Sequence, residues 1–177
     1  EVFGAVQQVA QYERDLPFYL AGFSMGGNFV LRVARQCADH PIANLRHVLS
    51  VSPVLDPASS TRAIDQNPLL RAYFRKRWAG SLRRKQACFP KLYDFEEALR
   101  FHTLSEMTEV LIQRYSEYAS SADYFQGYAV LGDALANVDV PLTILTAQDD
   151  PIIPVRDFHD LQLPSSSELS IQRYGGH

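Results

Sequence analysis

A glycine–serine–glycine pattern near the N-terminus constrains this chain more than any other feature. Gly22-Phe23-Ser24-Met25-Gly26 fits the pattern G-x-S-x-G and stands between an apolar segment and an amphipathic one. A serine hydroxyl is a weak nucleophile at neutral pH and needs a base within hydrogen-bond reach. A sharp strand-to-helix turn holds such a serine clear of its backbone, and we expect only glycine to fit two residues before and after it. The pattern therefore predicts a nucleophilic serine at position 24.

The helix expected after Ser24 directs its N-terminal amides toward the serine. The backbone amide of Met25 is thus predicted to bind the negative oxygen that develops when the serine attacks a carbonyl carbon. The alternative interpretation is a glycine-rich turn in which Ser24 serves only as a helix cap.

The composition is that of one globular domain with a sizeable core. The chain has 177 residues and a net charge of -3, which suits a single domain. Its two cysteines, Cys37 and Cys88, form neither a metal pattern nor a disulfide framework, and they favour a reducing, cytoplasmic location. No apolar run is long enough to span a membrane. No histidine has a second ligand at metal spacing, so we expect neither a metal nor another cofactor.

Apolar and amphipathic segments alternate along the chain in the order that builds a parallel sheet. The predicted strands are residues 18–22, 47–52, 141–146 and 168–174. The predicted helices beside them are one that starts at Val2 and is stopped by residues 15–17, the segment from Ser24 to Cys37, and 155–161. Strand, helix and strand in succession form the unit of an α/β sheet. The sequence therefore predicts an α/β core made of residues 1–56 and 140–177, with the last strand at an edge.

Between residues 57 and 139 the strand pattern gives way to helical periodicity. The predicted helices are residues 68–84, 94–101, 105–115 and 121–135. About eighty residues between neighbouring strands is far beyond a normal crossover connection. We therefore predict an inserted helical cap over residues 57–139, of the kind that covers a site and excludes water.

Three residues of complementary chemistry each follow a predicted strand. Ser24, Asp150 and His177 stand at three strand ends, and the carboxyl ends of parallel strands are where ligands collect. His177 is predicted to take the proton of Ser24, and Asp150 to orient the imidazole and stabilise its cation. Asp149 and Asp56 are alternatives for the carboxylate.

Together these motifs resemble the YheT-like branch of the α/β-hydrolases, carboxylesterases related to embryogenesis-associated and to acylglycerol- or phospholipid-cleaving hydrolases. The resemblance covers nearly all of the chain. It is carried by residues 22–28, 52–56, 121–125, 147–151 and 174–177. It implies the α/β-hydrolase fold, with Ser24 as nucleophile, Asp150 as acid and His177 as base.

The same resemblance indicates that this chain is the C-terminal part of a longer enzyme. Members of that branch have several strands before the position of Glu1 and a helix after the position of His177. Their second oxyanion donor comes from the loop after the third strand, which this chain lacks. We therefore expect the N-terminal part of the same protein to be a partner of this chain.

The expected substrate is a small-molecule ester or lipid, cleaved through an acyl-enzyme on Ser24. Phe23, Tyr124 and Phe125 are predicted to contact it, although apolar side chains in a cap more often form the cap's own core. A thioesterase or amidase of the same fold remains an alternative, and so does a non-catalytic binding protein.

A basic run between Arg71 and Lys91 holds eight of the seventeen Lys and Arg residues. The net charge is negative and no nucleic-acid motif accompanies the run, so we expect no nucleic-acid partner. A solvated helix face is the favoured interpretation. Peripheral contact with an anionic membrane surface is the alternative.

We expect this chain alone to turn over esters at least about a hundredfold more slowly than a version that contains the second oxyanion donor, because losing one donor costs that order in rate. Steady-state hydrolysis of a p-nitrophenyl ester by the two proteins measures the ratio. Equal rates would contradict the prediction.

Overall fold

A computed structural model describes all 177 residues and divides them into two compact units. The first unit comprises Glu1–Asp56 and Ala129–His177, and the second comprises Pro57–Tyr128. The second unit ends at Tyr128, whereas the sequence placed the end of the insertion at residue 139. The segment from 129 to 139 instead belongs to the unit that contains the sheet.

Buried apolar side chains explain why this segment belongs to the sheet unit. Val130, Leu135 and Val138 are all buried. The amide of Val130 also donates to the carbonyl of Leu55, at 2.8 Å. The apolar spacing of this segment, which predicted a continuing helix, therefore reflects burial of an irregular chain.

The sheet of the first unit has four parallel strands in the order β1-β2-β3-β4. The strands are β1 Phe18–Phe23, β2 Leu45–Val51, β3 Leu142–Ala147 and β4 Glu168–Gln172. Gly22 lies opposite Ser50, and Ser50 lies opposite Ile144 in turn. The predicted α/β class is confirmed, and β4 lies at an edge as expected.

Helices of the first unit precede and follow β1. They are α1 Val2–Ala10 and α2 Met25–Gln36. The buried side chains of α2 recur at helical spacing, and Leu31 and Ala34 are fully buried. A four-residue 3₁₀ turn, Val155–Phe158, stands where the sequence predicted a longer helix.

Five helices form the second unit. They are α3 Pro57–Gln66, α4 Pro68–Cys88, α5 Glu96–Arg100, α6 Leu104–Tyr115 and α7 Ser121–Tyr128. The last of them is shorter than the predicted helix 121–135. It ends just after Gly127, and Gly132 has a positive φ of 58° that no helix continues through.

None of the helices combines the length and the apolar character that crossing a bilayer requires.

Strand β1 has a neighbouring strand on one side only, because β2 is its single partner. Its side chains also reach solvent: Tyr19 is 66% exposed and Phe23 is 67% exposed. An unpaired strand edge beside exposed aromatic side chains is a template for pairing with another chain.

We expect the isolated chain to self-associate through β1, and Tyr19→Lys to reduce that association because a charge on an edge strand opposes pairing. Tyr73→Lys is the matched control, since Tyr73 is similarly exposed but lies on helix α4. Light scattering measures the effect. A monodisperse monomer, or an equal response to both substitutions, would contradict this expectation.

Candidate active site

Ser24 occupies a tight turn between the end of β1 and the start of α2. Its φ of 53° and ψ of -119° lie outside the regions that non-glycine residues normally adopt. Its amide donates to the carbonyl of Val51 at 2.9 Å. Its carbonyl accepts from the amides of Asn28 and Val54, each at 3.2 Å. The strained conformation is therefore held by hydrogen bonds from both sides of the turn.

The close approach within this turn occurs at Gly22 and not at Gly26. A Cβ at Gly22 would overlap the carbonyl oxygen of Gly26 and would lie 2.6 Å from its carbonyl carbon. A Cβ at Gly26 would have no neighbour within 4 Å. The expectation that both positions require glycine is therefore wrong for Gly26. The carbonyl group of Gly26 lies close to Gly22, but the space beside the Gly26 Cα is open.

The second tightly packed glycine is Gly27, where helix α2 crosses the end of β2. A Cβ there would lie 2.9 Å from Ser50 Oγ and 3.0 Å from Pro53 Cα. Ser50 Oγ donates to the carbonyl of Gly27 at 3.1 Å. The fully buried Asn28 donates through Nδ2 to the carbonyl of Val54 at 2.8 Å. These contacts fasten the start of α2 to the segment after β2, a supporting role that sequence analysis did not assign.

The structure brings Ser24, Asp150 and His177 together. His177 Nε2 lies 3.0 Å from Ser24 Oγ, although the two residues are 153 positions apart in sequence. On the other side of the ring, His177 Nδ1 lies 2.8 Å from Asp150 Oδ2. The three side chains thus form one continuous chain of hydrogen bonds.

Asp150 is held in a fixed position by backbone amides. Its Oδ1 accepts from the amides of Ile152 and Ile153, at 2.8 and 2.9 Å. Its side chain is fully buried, while the His177 side chain is 23% exposed. One oxygen therefore anchors the carboxylate, and the other remains for the imidazole.

The neighbouring Asp149 serves the same arrangement in a different way. Its Oδ1 accepts from the amides of Gly175 and Gly176, at 2.9 and 2.8 Å. Gly176 has a φ of 62°, which glycine adopts without strain. Asp149 thus fixes the turn that presents His177. Of the three carboxylates considered from the sequence, which also include Asp56, Asp150 is the one that contacts the imidazole.

This geometry determines which ring nitrogen carries the proton. A carboxylate only accepts, so Nδ1 carries hydrogen and donates to Asp150. In the neutral ring Nε2 then has a free lone pair and accepts from the hydroxyl of Ser24. The arrangement can therefore remove a proton from Ser24 and keep the resulting imidazolium beside a buried carboxylate.

Met25 is the first residue of α2, so its amide has no partner inside the helix. Phe23 ends β1 next to Ser24 and is largely exposed. Tyr124 and Phe125 lie on α7 in the second unit, where Tyr124 packs against Tyr118 and Phe125 with ring centroids 5.4 and 5.6 Å apart. The structure thus places these two aromatics in a cluster within their own unit.

No group of three or more His, Cys, Asp or Glu side chains is arranged to hold a metal ion.

The model of the alpha/beta hydrolase family matches residues 2–177 of this chain. No curated protein matches the chain.

Solved structures share the fold at low sequence identity. Lipase A from Candida antarctica has a TM-score of 0.58 at 11% identity over 97% of this chain and 47% of its own. An α/β fold family hydrolase from Bacillus anthracis has a TM-score of 0.57 at 14% identity, over 99% and 66%. A monoacylglycerol lipase from Paleococcus ferrophilus has a TM-score of 0.51 at 15% identity, over 99% and 65%. The chain thus spans between about half and two thirds of these structures' length. At such identities the likeness shows the fold alone, and the fold class expected from the sequence is confirmed.

We expect Gly22→Ala to destabilise the chain by about 2–3 kcal/mol, because backbone atoms in the turn must move to admit a methyl group. The same change at Gly26 should be neutral or slightly stabilising, since the space there is open and alanine favours a helix. Urea unfolding of both variants measures the difference. Equal unfolding midpoints would contradict the packing described for the turn.

Proposed function

This chain belongs to the alpha/beta hydrolase family, and we propose that it carries the catalytic triad of a serine hydrolase that cleaves carboxylic esters. The observation behind the proposal is the hydrogen-bonded chain from Ser24 Oγ through His177 to Asp150. A nucleophile, a base within reach and a group that orients the base are the parts that acyl transfer needs.

Acylation begins when Ser24 Oγ attacks the ester carbonyl carbon and passes its proton to His177 Nε2. The carbonyl oxygen becomes negative, and the amide of Met25 donates to it. Asp150 stabilises the imidazolium across the 2.8 Å contact with Nδ1. The carbon–oxygen bond to the alcohol then breaks, and His177 returns the proton to the departing alkoxide. The alcohol leaves, and the acyl group remains on Ser24.

Deacylation repeats these steps with water as the nucleophile. His177 Nε2 takes a proton from water while the oxygen attacks the acyl carbon. The second tetrahedral intermediate collapses when the bond to Ser24 Oγ breaks, and His177 gives the proton back to the serine. A carboxylic acid is released and the hydroxyl of Ser24 is restored.

Within the family, we propose that the chain belongs to the YheT-like branch and that its substrate is an acyl ester or lipid-like ester. Support comes from the asparagine after the double glycine, Asn28, and from the Gly-Gly-His sequence at 175–177. Two structurally similar proteins are named as lipases, so an acyl ester is the first substrate to test. In this proposal Phe23, which lies next to Ser24, contacts the acyl group; contact by Tyr124 and Phe125 stays a prediction from the sequence.

A fluorophosphonate probe tests the proposed nucleophile directly, because it reacts covalently with an activated serine. We expect wild-type labelling and none in Ser24→Ala. His177→Gln should slow labelling by at least about a thousandfold, since the serine then has no base. Mass spectrometry of the labelled peptide measures both.

Ser81→Ala is the matched control, because Ser81 is an exposed serine on α4 that should leave labelling unchanged. An unlabelled wild-type chain, or labelling that survives in Ser24→Ala, would contradict the proposal and favour a binding protein that keeps the fold.

A further inference from the structure

A cleft in the second unit is lined by basic side chains that the proposed hydrolysis does not use. Its volume is about 350 Å³. The lining residues are Pro68, Arg71, Ala72, Arg75, Lys76 and His102. All of them belong to the second unit. Five lie in the first turns of α4, and His102 lies in the connection between α5 and α6.

Helical spacing explains why the basic side chains meet in one cleft. Arg75 follows Arg71 by four positions, and residues four apart lie on the same helix face. Lys76 is adjacent to that face, and the imidazole of His102 approaches it from a different element. The charge is therefore concentrated at one place, unlike a basic run whose side chains point in all directions around a helix.

Two of the cations, Arg71 and Arg75, are held in place by hydrogen bonds to backbone carbonyls, which are neutral and do not cancel the positive charge. Arg75 donates from Nε to the carbonyl of Phe101 at 2.8 Å and from Nη2 to the carbonyl of Leu99 at 3.0 Å. Arg71 donates from Nη1 to the carbonyl of Asp65 at 3.1 Å. A guanidinium has more N–H donors than these bonds use. Both groups are thus positioned in advance, with donors remaining for a ligand.

The carboxylates near the cleft are engaged elsewhere. Asp65 Oδ1 accepts from the amide of Leu104 at 2.7 Å, and its Oδ2 accepts from the amide and hydroxyl of Ser105 at 3.0 and 2.6 Å. Glu106 Oε2 accepts from the hydroxyl of Thr103 at 2.6 Å. Both carboxylates therefore cap the start of α6.

Hydrogen bonds from Thr103, its side chain first, lower the pKa of Glu106 and so favour its charged form at the start of α6. No ion pair within 4.0 Å joins Arg71, Arg75 or Lys76 to a carboxylate. The three permanent cations thus have no anionic partner within the chain.

We propose that this cleft binds a phosphate group. Guanidinium groups match the geometry of phosphate oxygens, and charge-assisted hydrogen bonds to phosphate are among the strongest in proteins. The volume lies at the small end of ligand pockets, which run from roughly 300 to 1,000 Å³, and its lining is cationic where most pockets are apolar. A single phosphate group on a small soluble molecule or on a lipid head group fits both the size and the charge.

A nucleic acid is a poorer fit to this cleft. A long polyanion is bound by a basic stripe that follows its backbone, whereas these cations surround one short cleft. The net charge of the chain is -3, so the surface beyond the cleft repels a polyanion on balance.

Binding to the full chain tests the proposal at low ionic strength. Glycerol 3-phosphate in calorimetry is the soluble probe. Phosphatidylcholine vesicles with and without phosphatidic acid, in a sedimentation assay, are the lipid probe. Neither assay involves ester turnover, so its result is independent of the chemistry at Ser24.

Lys76→Glu is the informative variant, because Lys76 is exposed and makes no hydrogen bond or ion pair whose loss would disturb folding. Arg83→Glu is the matched control. Arg83 is also exposed, lies on the same helix about 10 Å further along its axis and is outside the cleft. We expect Lys76→Glu to weaken binding by about tenfold or more, and Arg83→Glu by less than about twofold.

The outcomes distinguish the two sources of phosphate. Saturable binding of glycerol 3-phosphate, weakened by Lys76→Glu alone, assigns the cleft to a soluble phosphate ester. Binding only to vesicles with phosphatidic acid, weakened by Lys76→Glu alone, assigns it to a lipid head group. The proposal is overturned if neither probe binds. It is equally overturned if both variants weaken binding to the same extent, or if an oligonucleotide binds and phosphate does not.

Discussion

The contact between Gly22 and the backbone of Gly26 and Gly27 is the constraint on which the rest of this structure depends. Because Gly22 lacks a Cβ, the strand can pass within van der Waals range of the first turn of the next helix. Only then does the chain reverse direction in a single residue, which leaves Ser24 at a positive φ. The serine is thus exposed to a base because a glycine two positions earlier permits the turn.

Two adjacent aspartates, Asp149 and Asp150, hold His177 in position through different contacts. Asp150 holds the imidazole ring from its Nδ1 side, and two amides fix the carboxylate. Asp149 accepts from the amides of the two glycines that precede His177, and so fixes the backbone position from which the imidazole side chain extends. Backbone hydrogen bonds therefore fix both the carboxylate that contacts the imidazole and the turn that carries His177.

In the helical unit, carboxylates also accept backbone hydrogen bonds, and as a result the nearby basic side chains have no acidic partner. Asp65 and Glu106 accept hydrogen bonds at the start of helix α6, and the basic residues at the start of α4 have no acidic partner. The arginines there bind neutral carbonyls instead, which fixes their position and preserves their charge. A capped helix and an uncompensated cationic cleft are thus two consequences of one arrangement of side chains.

The sequence by itself determined the alternation of strands and helices, the elbow at Ser24 and the residue types of the site, because local periodicity and turn chemistry act over a few positions. Only the tertiary structure decided that Asp150 contacts the imidazole, since the carboxylate of Asp149 instead accepts from the amides of Gly175 and Gly176. It also decided that Gly22, and not Gly26, is the sterically required glycine of the G-x-S-x-G pattern, and that the segment after Tyr128 packs with the sheet unit. These outcomes depend on contacts between residues distant in sequence, such as Ser24 and His177, whose proximity the order of parallel strands creates.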